Sequence, residues 1–159
     1  MIKRQFLSIV FLCFFPAAMA AETLSIEVWK SPTCGCCKKW IEHLEDNGFS
    51  VTAYDEGNNR ARAQLGMPRA HGSCHTALID GYVIEGHVPA KDIMRLLKEK
   101  PKAIGLSVPG MPIGSPGMDG PEYKGHRTRL TCYSSRAKKN LRRSVVIRTN
   151  DRSLFTLLL

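Results

Sequence analysis

An α/β fold with its elements in the order βαβαββα is what this sequence predicts, and three observations carry the prediction. A run that alternates with period two, Leu24 to Trp29, passes through a proline-containing turn into a run with helical spacing. Two short apolar runs, Thr76 to Ile79 and Tyr82 to Ile84, are joined by Asp80-Gly81, a strong signal for a β-hairpin. A further helical run follows Pro89, a residue suited to the first position of a helix.

Taken in order, Leu24-Ser25-Ile26-Glu27-Val28-Trp29 has the pattern of a half-buried strand. Ser31-Pro32-Thr33 ends it, because proline cannot donate to a ladder. Cys34-Gly35-Cys36-Cys37 then takes the turn and the first helical positions. Trp40, Ile41 and Leu44 share one helix face, and Gly48 supplies the stop. Phe49 to Tyr54 reads as the second strand. Asn58 or Asn59 caps a short helix through Leu65, which Gly66 and Pro68 terminate. The hairpin comes next, then a helix carrying Ile93, Met94, Leu96 and Leu97 that Pro101 closes. Val108 to Met118 is rich in glycine and proline and fits no periodic structure.

The first twenty residues read as an address. Lys3 and Arg4 form a basic start, Phe6 to Phe15 an apolar stretch too short to span a bilayer, and Ala18-Met19-Ala20 a small-residue cleavage signal. Residues 1–20 are therefore expected to be a signal peptide. The chain from Ala21 is expected to be periplasmic, in a compartment that permits disulfides, with no membrane span after cleavage. The formal charge of +9 does not point to nucleic acid, because it is unevenly spread. Residues 21 to 120 hold 11 Lys and Arg against 12 Asp and Glu, whereas residues 121 to 159 hold 10 against 2. The excess belongs to one tail, and a basic run is commonly a solvated face.

With Cys13 inside the apolar stretch of the signal, the cysteines left are 34, 36, 37, 74 and 132. An odd, clustered set is a poor disulfide framework. Three thiols within four residues instead point to thiol chemistry, in two forms. Cys34 and Cys37 alone have the Cys-x-x-Cys spacing of a dithiol redox pair at a helix N-terminus, with Cys34 as nucleophile and Cys37 as resolving thiol. Adding Cys36 gives a thiolate density that favours a soft metal, Cu(I) or zinc. Lys38 and Lys39 stand where they can stabilise thiolates. Met111 and Met118 offer thioethers that suit Cu(I), as weaker candidates. His43 falls off the apolar face of its helix and reads as solvated, and His71, His87 and His126 sit in loop-like sequence and read as having no role.

The element order, with Cys-x-x-Cys at the first strand-to-helix junction, resembles the thioredoxin-like fold. That resemblance places Ser73-Cys74-His75, just before the third strand, over the dithiol, so that Cys74 and His75 join the first three sulfurs. The usual cis-proline of that position is missing. More specifically, Trp29 to Trp40 with its Cys-Gly-Cys-Cys, Cys74-His75-Thr76-Ala77, Asp80 to Pro89 and the Met111 to Met118 loop together resemble the CopG family, small secreted bacterial proteins often found in copper-resistance gene clusters. The resemblance covers about residues 24 to 120. It implies copper, as Cu(I), bound by Cys34, Cys36, Cys37, Cys74 and His75, a redox role toward copper, and other periplasmic copper-handling proteins as partners.

On this reading residues 21–127 form one thioredoxin-like metal-binding domain and residues 128–159 an atypical basic tail. The family pattern would place a further strand after about Arg127. Codons for Thr128 to Ser134 exist that, read from their third base, encode the strand-like Ala-Leu-Asp-Val-Leu-Leu, so the tail reads as a frameshifted version of that strand, expected to be loosely attached.

Overall fold

The computed structural model describes residues 23–126 and, as backbone, two further strands at Thr131–Ser135 and Val145–Arg148. Residues 1–20, expected to be a signal peptide, the basic run from Arg136 to Arg143 and the apolar end at Leu157 to Leu159 lie outside the described residues.

The expected βαβαββα order is present: β1 (Leu24–Lys30), α1 (Gly35–Asp46), β2 (Phe49–Tyr54), α2 (Asn59–Gln64), β3 (His75–Ile79), β4 (Tyr82–Glu85) and α3 (Ala90–Glu99). β5 (Gly105–Ser107), β6 (Thr131–Ser135) and β7 (Val145–Arg148) extend the sheet, whose order is β2-β1-β3-β4-β5-β6-β7. β1 runs parallel to β2 and antiparallel to β3, with Lys30 opposite His75 at the end nearest the cysteines. β4 runs parallel to β5, a three-residue strand too short to show any period in the sequence.

Local signals explain most boundaries. The β3–β4 turn holds Asp80 and Gly81 at φ 46° and 78°, both positive, as a two-residue hairpin turn requires. α3 ends where Lys100 turns left-handed ahead of Pro101. Pro89 stands one place earlier than expected, as the cap preceding the helix.

Two described strands follow β5. The backbone of β6 pairs antiparallel with β5, Leu106 opposite Ser134, and β7 pairs with β6. A further strand after β5 is thus supplied by residues 131–135.

The core lies between the sheet and α1 and α3. Ile26 and Val28 of β1, Trp40 and Leu44 of α1, Ile84 of β4 and Ile93 of α3 are all fully buried. Met94, placed on the apolar face of α3 by spacing, is instead exposed at that face's edge. Trp40 ties the layers together: it has no exposed surface, and its indole N–H donates to the Val88 carbonyl at 2.8 Å. Replacing Trp40 with phenylalanine keeps an aromatic ring but orphans that buried acceptor. We expect a loss of about 1–3 kcal/mol in unfolding free energy, read by denaturant titration; an unchanged midpoint would show that the bond contributes nothing.

Candidate metal centre

The site begins where β1 gives way to α1. Cys34 occupies the N-cap of α1, and Cys36 and Cys37 lie in its first turn, where free amide groups and the helix dipole favour an anionic sulfur. No acidic residue occupies that turn. Cys34 and Cys37 form a disulfide, with Cα atoms 5.3 Å apart, and Cys36 and Cys74 are free. Cys37 is fully buried, whereas Cys34 and Cys36 are partly exposed.

The antiparallel pairing of β3 with β1 delivers the second half of the site. Cys74 directly precedes β3, and its sulfur lies within 4.8 Å of the sulfurs of Cys34, Cys36 and Cys37. The same sulfur is 3.3 Å from Nδ1 of His75 and 3.2 Å from Nε2 of His87. Two donor groups therefore share Cys74: four sulfurs on one side, one sulfur and two imidazoles on the other.

His87 is a member of the second donor group that the sequence did not disclose. It was read as a loop histidine without a role, yet it is fully buried two residues beyond β4. Its Nδ1–H donates to the Pro116 carbonyl at 2.9 Å, which leaves the Nε2 lone pair facing Cys74. The ring of His75 packs against Trp40 with centroids 4.2 Å apart and meets His87 edge-on at 4.9 Å. Burial lowers the pKa of both histidines, and for His75 the neighbouring His87 lowers it further. Both rings are therefore neutral near pH 7, the form in which imidazole binds metal. His75 Nε2 is buried without a hydrogen-bond partner.

The loop after β5 covers the cluster from the other side. Gly117, at φ 81°, approaches the first turn of α1 so closely that a Cβ there would lie 2.7 Å from the Cys36 carbonyl oxygen. Met111 Sδ is 3.9 Å from Cys36 Sγ, with about half of its surface, 53%, exposed. Met118 is placed differently: its thioether accepts a hydrogen bond from the Tyr123 hydroxyl at 3.4 Å. Lys39 is engaged by Glu122 at 2.7 Å, so its charge serves the loop as much as any thiolate. His43, read as solvated, is half-buried and accepts the Ala90 N–H at 3.1 Å, at the start of α3.

The donor chemistry fits a soft metal ion. Sulfur and neutral imidazole select Cu(I), zinc and their neighbours over hard cations, and a buried nitrogen without a partner is available to join them. The Cys34–Cys37 disulfide must be reduced before those two sulfurs can act as thiolates.

An α/β protein whose cysteines gather at a helix N-terminus beside two buried imidazoles belongs to the class of thiol-rich metal-binding proteins. Solved structures sharpen this. The copper resistance protein CopG in its form 2 is 42% identical, with a TM-score of 0.70, over 79% of this chain and 96% of that one. Form 1 is 43% identical, with a TM-score of 0.69, over 79% and 95%. This chain belongs to the CopG family. A protein family described as a protein of unknown function, DUF411, matches residues 71–118, the part that holds Cys74, His75 and His87. No curated protein matches the chain.

Burial, and then the neighbouring Cys36, push the Cys74 thiol up to about 12. Alkylation proceeds through the thiolate, so in the folded, metal-free protein the Cys74 rate should rise about tenfold per pH unit without levelling off below pH ~10. Peptide mapping after iodoacetamide pulses measures this. A plateau near pH 8 would show that Cys74 is not held as a thiol.

Proposed function

We propose that this chain is an exported, thioredoxin-like copper-binding protein of copper tolerance. It holds Cu(I) on the reduced sulfurs of Cys34, Cys36, Cys37 and Cys74, with His75 and His87 as nitrogen donors. One observation carries the reading: a group of four sulfurs and a group of one sulfur and two neutral imidazoles share Cys74 in a chain whose family includes copper resistance proteins. Cu(I) accepts two to four soft ligands without demanding one geometry, and bridging sulfurs allow more than one ion. Met111 is the outermost of the sulfur donors and serves as an accessory ligand beside Cys36.

Redox chemistry belongs to this reading. Reducing the Cys34–Cys37 disulfide takes two electrons and two protons, which matches the oxidation of two Cu(I) to Cu(II). Export follows from the N-terminal pattern, so the mature protein should begin at Ala21, in the periplasm. N-terminal sequencing of the exported product tests this, and a retained Met1 to Ala20 would refute it.

A second reading is favoured by the disulfide itself. Once an external dithiol has reduced the pair, the partly exposed Cys34 thiolate attacks a substrate disulfide and releases one substrate thiol, and the buried Cys37 then resolves the mixed disulfide, releasing the second substrate thiol and re-forming Cys34–Cys37, as in a thiol-disulfide oxidoreductase. Anaerobic Cu(I) titration of the reduced protein, beside an insulin-reduction assay, separates the two. On the copper reading Cys74→Ser lowers Cu(I) stoichiometry, or lowers affinity by about tenfold or more, with the fold intact by circular dichroism. His75→Ala should have the smaller effect. Unchanged copper binding by the Cys74→Ser protein would leave the Cys34 to Cys37 segment holding the metal alone, whereas rapid insulin reduction by a parent that takes up no Cu(I) would establish the second reading.

A further inference from the structure

We propose that Glu85 is the positioning residue for Cys74, a buried carboxylate whose work is to hold the Ser73 peptide so that the Cys74 sulfur meets both imidazoles and Cys36.

Residues 73 and 74 precede β3, whose ladder to β1 begins only at His75, so no strand partner fixes them. Their placement comes from side chains instead. Glu85 closes β4 directly opposite Thr76 and is fully buried. Its Oε1 accepts the Ser73 N–H at 2.7 Å and the Arg62 Nε–H at 2.8 Å, and its Oε2 accepts the Thr76 hydroxyl at 2.6 Å. From the other side the Ser73 carbonyl accepts hydrogen bonds from Arg62 Nη2 and from Asn58 Nδ2, the latter at 3.1 Å. Asn58 also reaches the Thr76 hydroxyl at 3.2 Å, closing the circuit.

Both polar groups of a single peptide residue are thus gripped by side chains from β4, α2 and the residue that precedes α2. A buried carboxylate is costly unless several donors satisfy it, and here each donor lies on the segment leading to Cys74 or on the element that braces it. The Ser73 hydroxyl donates in turn to the Gly110 carbonyl, while Gly110 N–H donates to the Gly72 carbonyl at 3.2 Å. The grip therefore reaches the residue preceding Met111. A purely structural staple between α2 and the sheet would need only the Arg62–Glu85 pair and not the Ser73 contacts.

This inference rests on the copper reading only for its metal arm, and the test keeps the two apart. In the exported, signal-cleaved chain, oxidised at Cys34–Cys37 and metal-free, iodoacetamide labelling of Cys74 is measured by peptide mapping against that of Cys36. Cu(I) capacity is then measured on the reduced protein with Cu(I) itself. Glu85→Ala should change the Cys74 rate by about fivefold or more relative to Cys36, the weight of one lost hydrogen bond, and should lower Cu(I) capacity. Glu85→Gln can still accept from Ser73 and donate to Thr76, so it should rescue both towards parental values despite the lost charge. If Glu85→Ala does not fold, Asn58→Ala, which removes the grip on the Ser73 carbonyl while leaving Glu85 in place, should shift the Cys74 rate in the same direction. A changed Cys74 rate with unchanged Cu(I) capacity supports the positioning role and counts against the copper reading. Folded variants that lose thermal stability but label Cys74 at the parental rate, whatever their capacity, would overturn the proposal.

Discussion

The antiparallel register that sets Lys30 of β1 opposite His75 of β3 is the constraint on which the rest of the site depends. β1 feeds α1, and α1 carries three cysteines on its cap and first turn; β3 starts immediately after Cys74. Only when these two strands are neighbours, and in this register, do the two cysteine-bearing segments share one end of the sheet. A slip of one residue would turn His75 and Ala77 to the opposite face and remove the packing against Trp40. The apolar alternation of β1, with Ile26 and Val28 fully buried, makes such a slip costly.

Burial then decides the chemistry of what has been brought together. Trp40 packs over His75 and shields it from water, so the protonated ring loses more solvation than the neutral one. The same loss of solvation opposes the Cys74 thiolate. Held away from water, with the neighbouring Cys36 adding to the effect, that thiol keeps its proton, and only a strong Lewis acid displaces it at neutral pH. A site made this way is poor at general acid-base work and good at selecting a soft cation, because desolvation is repaid by bonds to sulfur and nitrogen.

Most of the framework was legible because its signals are local. Period two in β1, Asp80-Gly81 between β3 and β4, and the proline stops are short-range patterns with short-range causes. The cysteine cluster was legible as chemistry. What escaped depended on distant chain. His87 lies in a short segment between β4 and α3, and its burial is set by Pro116, which arrives 29 residues later from an aperiodic loop. Glu85 directly follows the apolar run Tyr82 to Ile84, and nothing local marks it as buried; its partners Arg62 and Ser73 come from two other segments. β5 has three residues and no period to detect, and the pairing of β6 onto it is a property of the assembled sheet edge.

Cys74 is the residue through which the two halves of the site communicate, and the disulfide makes its position more telling. While Cys34 and Cys37 are joined, neither can offer a thiolate, and the free thiols near the helix cap are those of Cys36 and Cys74. Of these, Cys36 faces Met111 at the exposed side, whereas Cys74 faces the buried imidazoles. Reduction adds two sulfurs to the cap and leaves the imidazole side unaltered in composition. The nitrogen donors are therefore a constant of the site and the sulfur number is its variable. Cys74, common to both groups, has to keep one orientation in either state, and that need accounts for the grip of side chains on both the N–H and the carbonyl of Ser73, the residue before it.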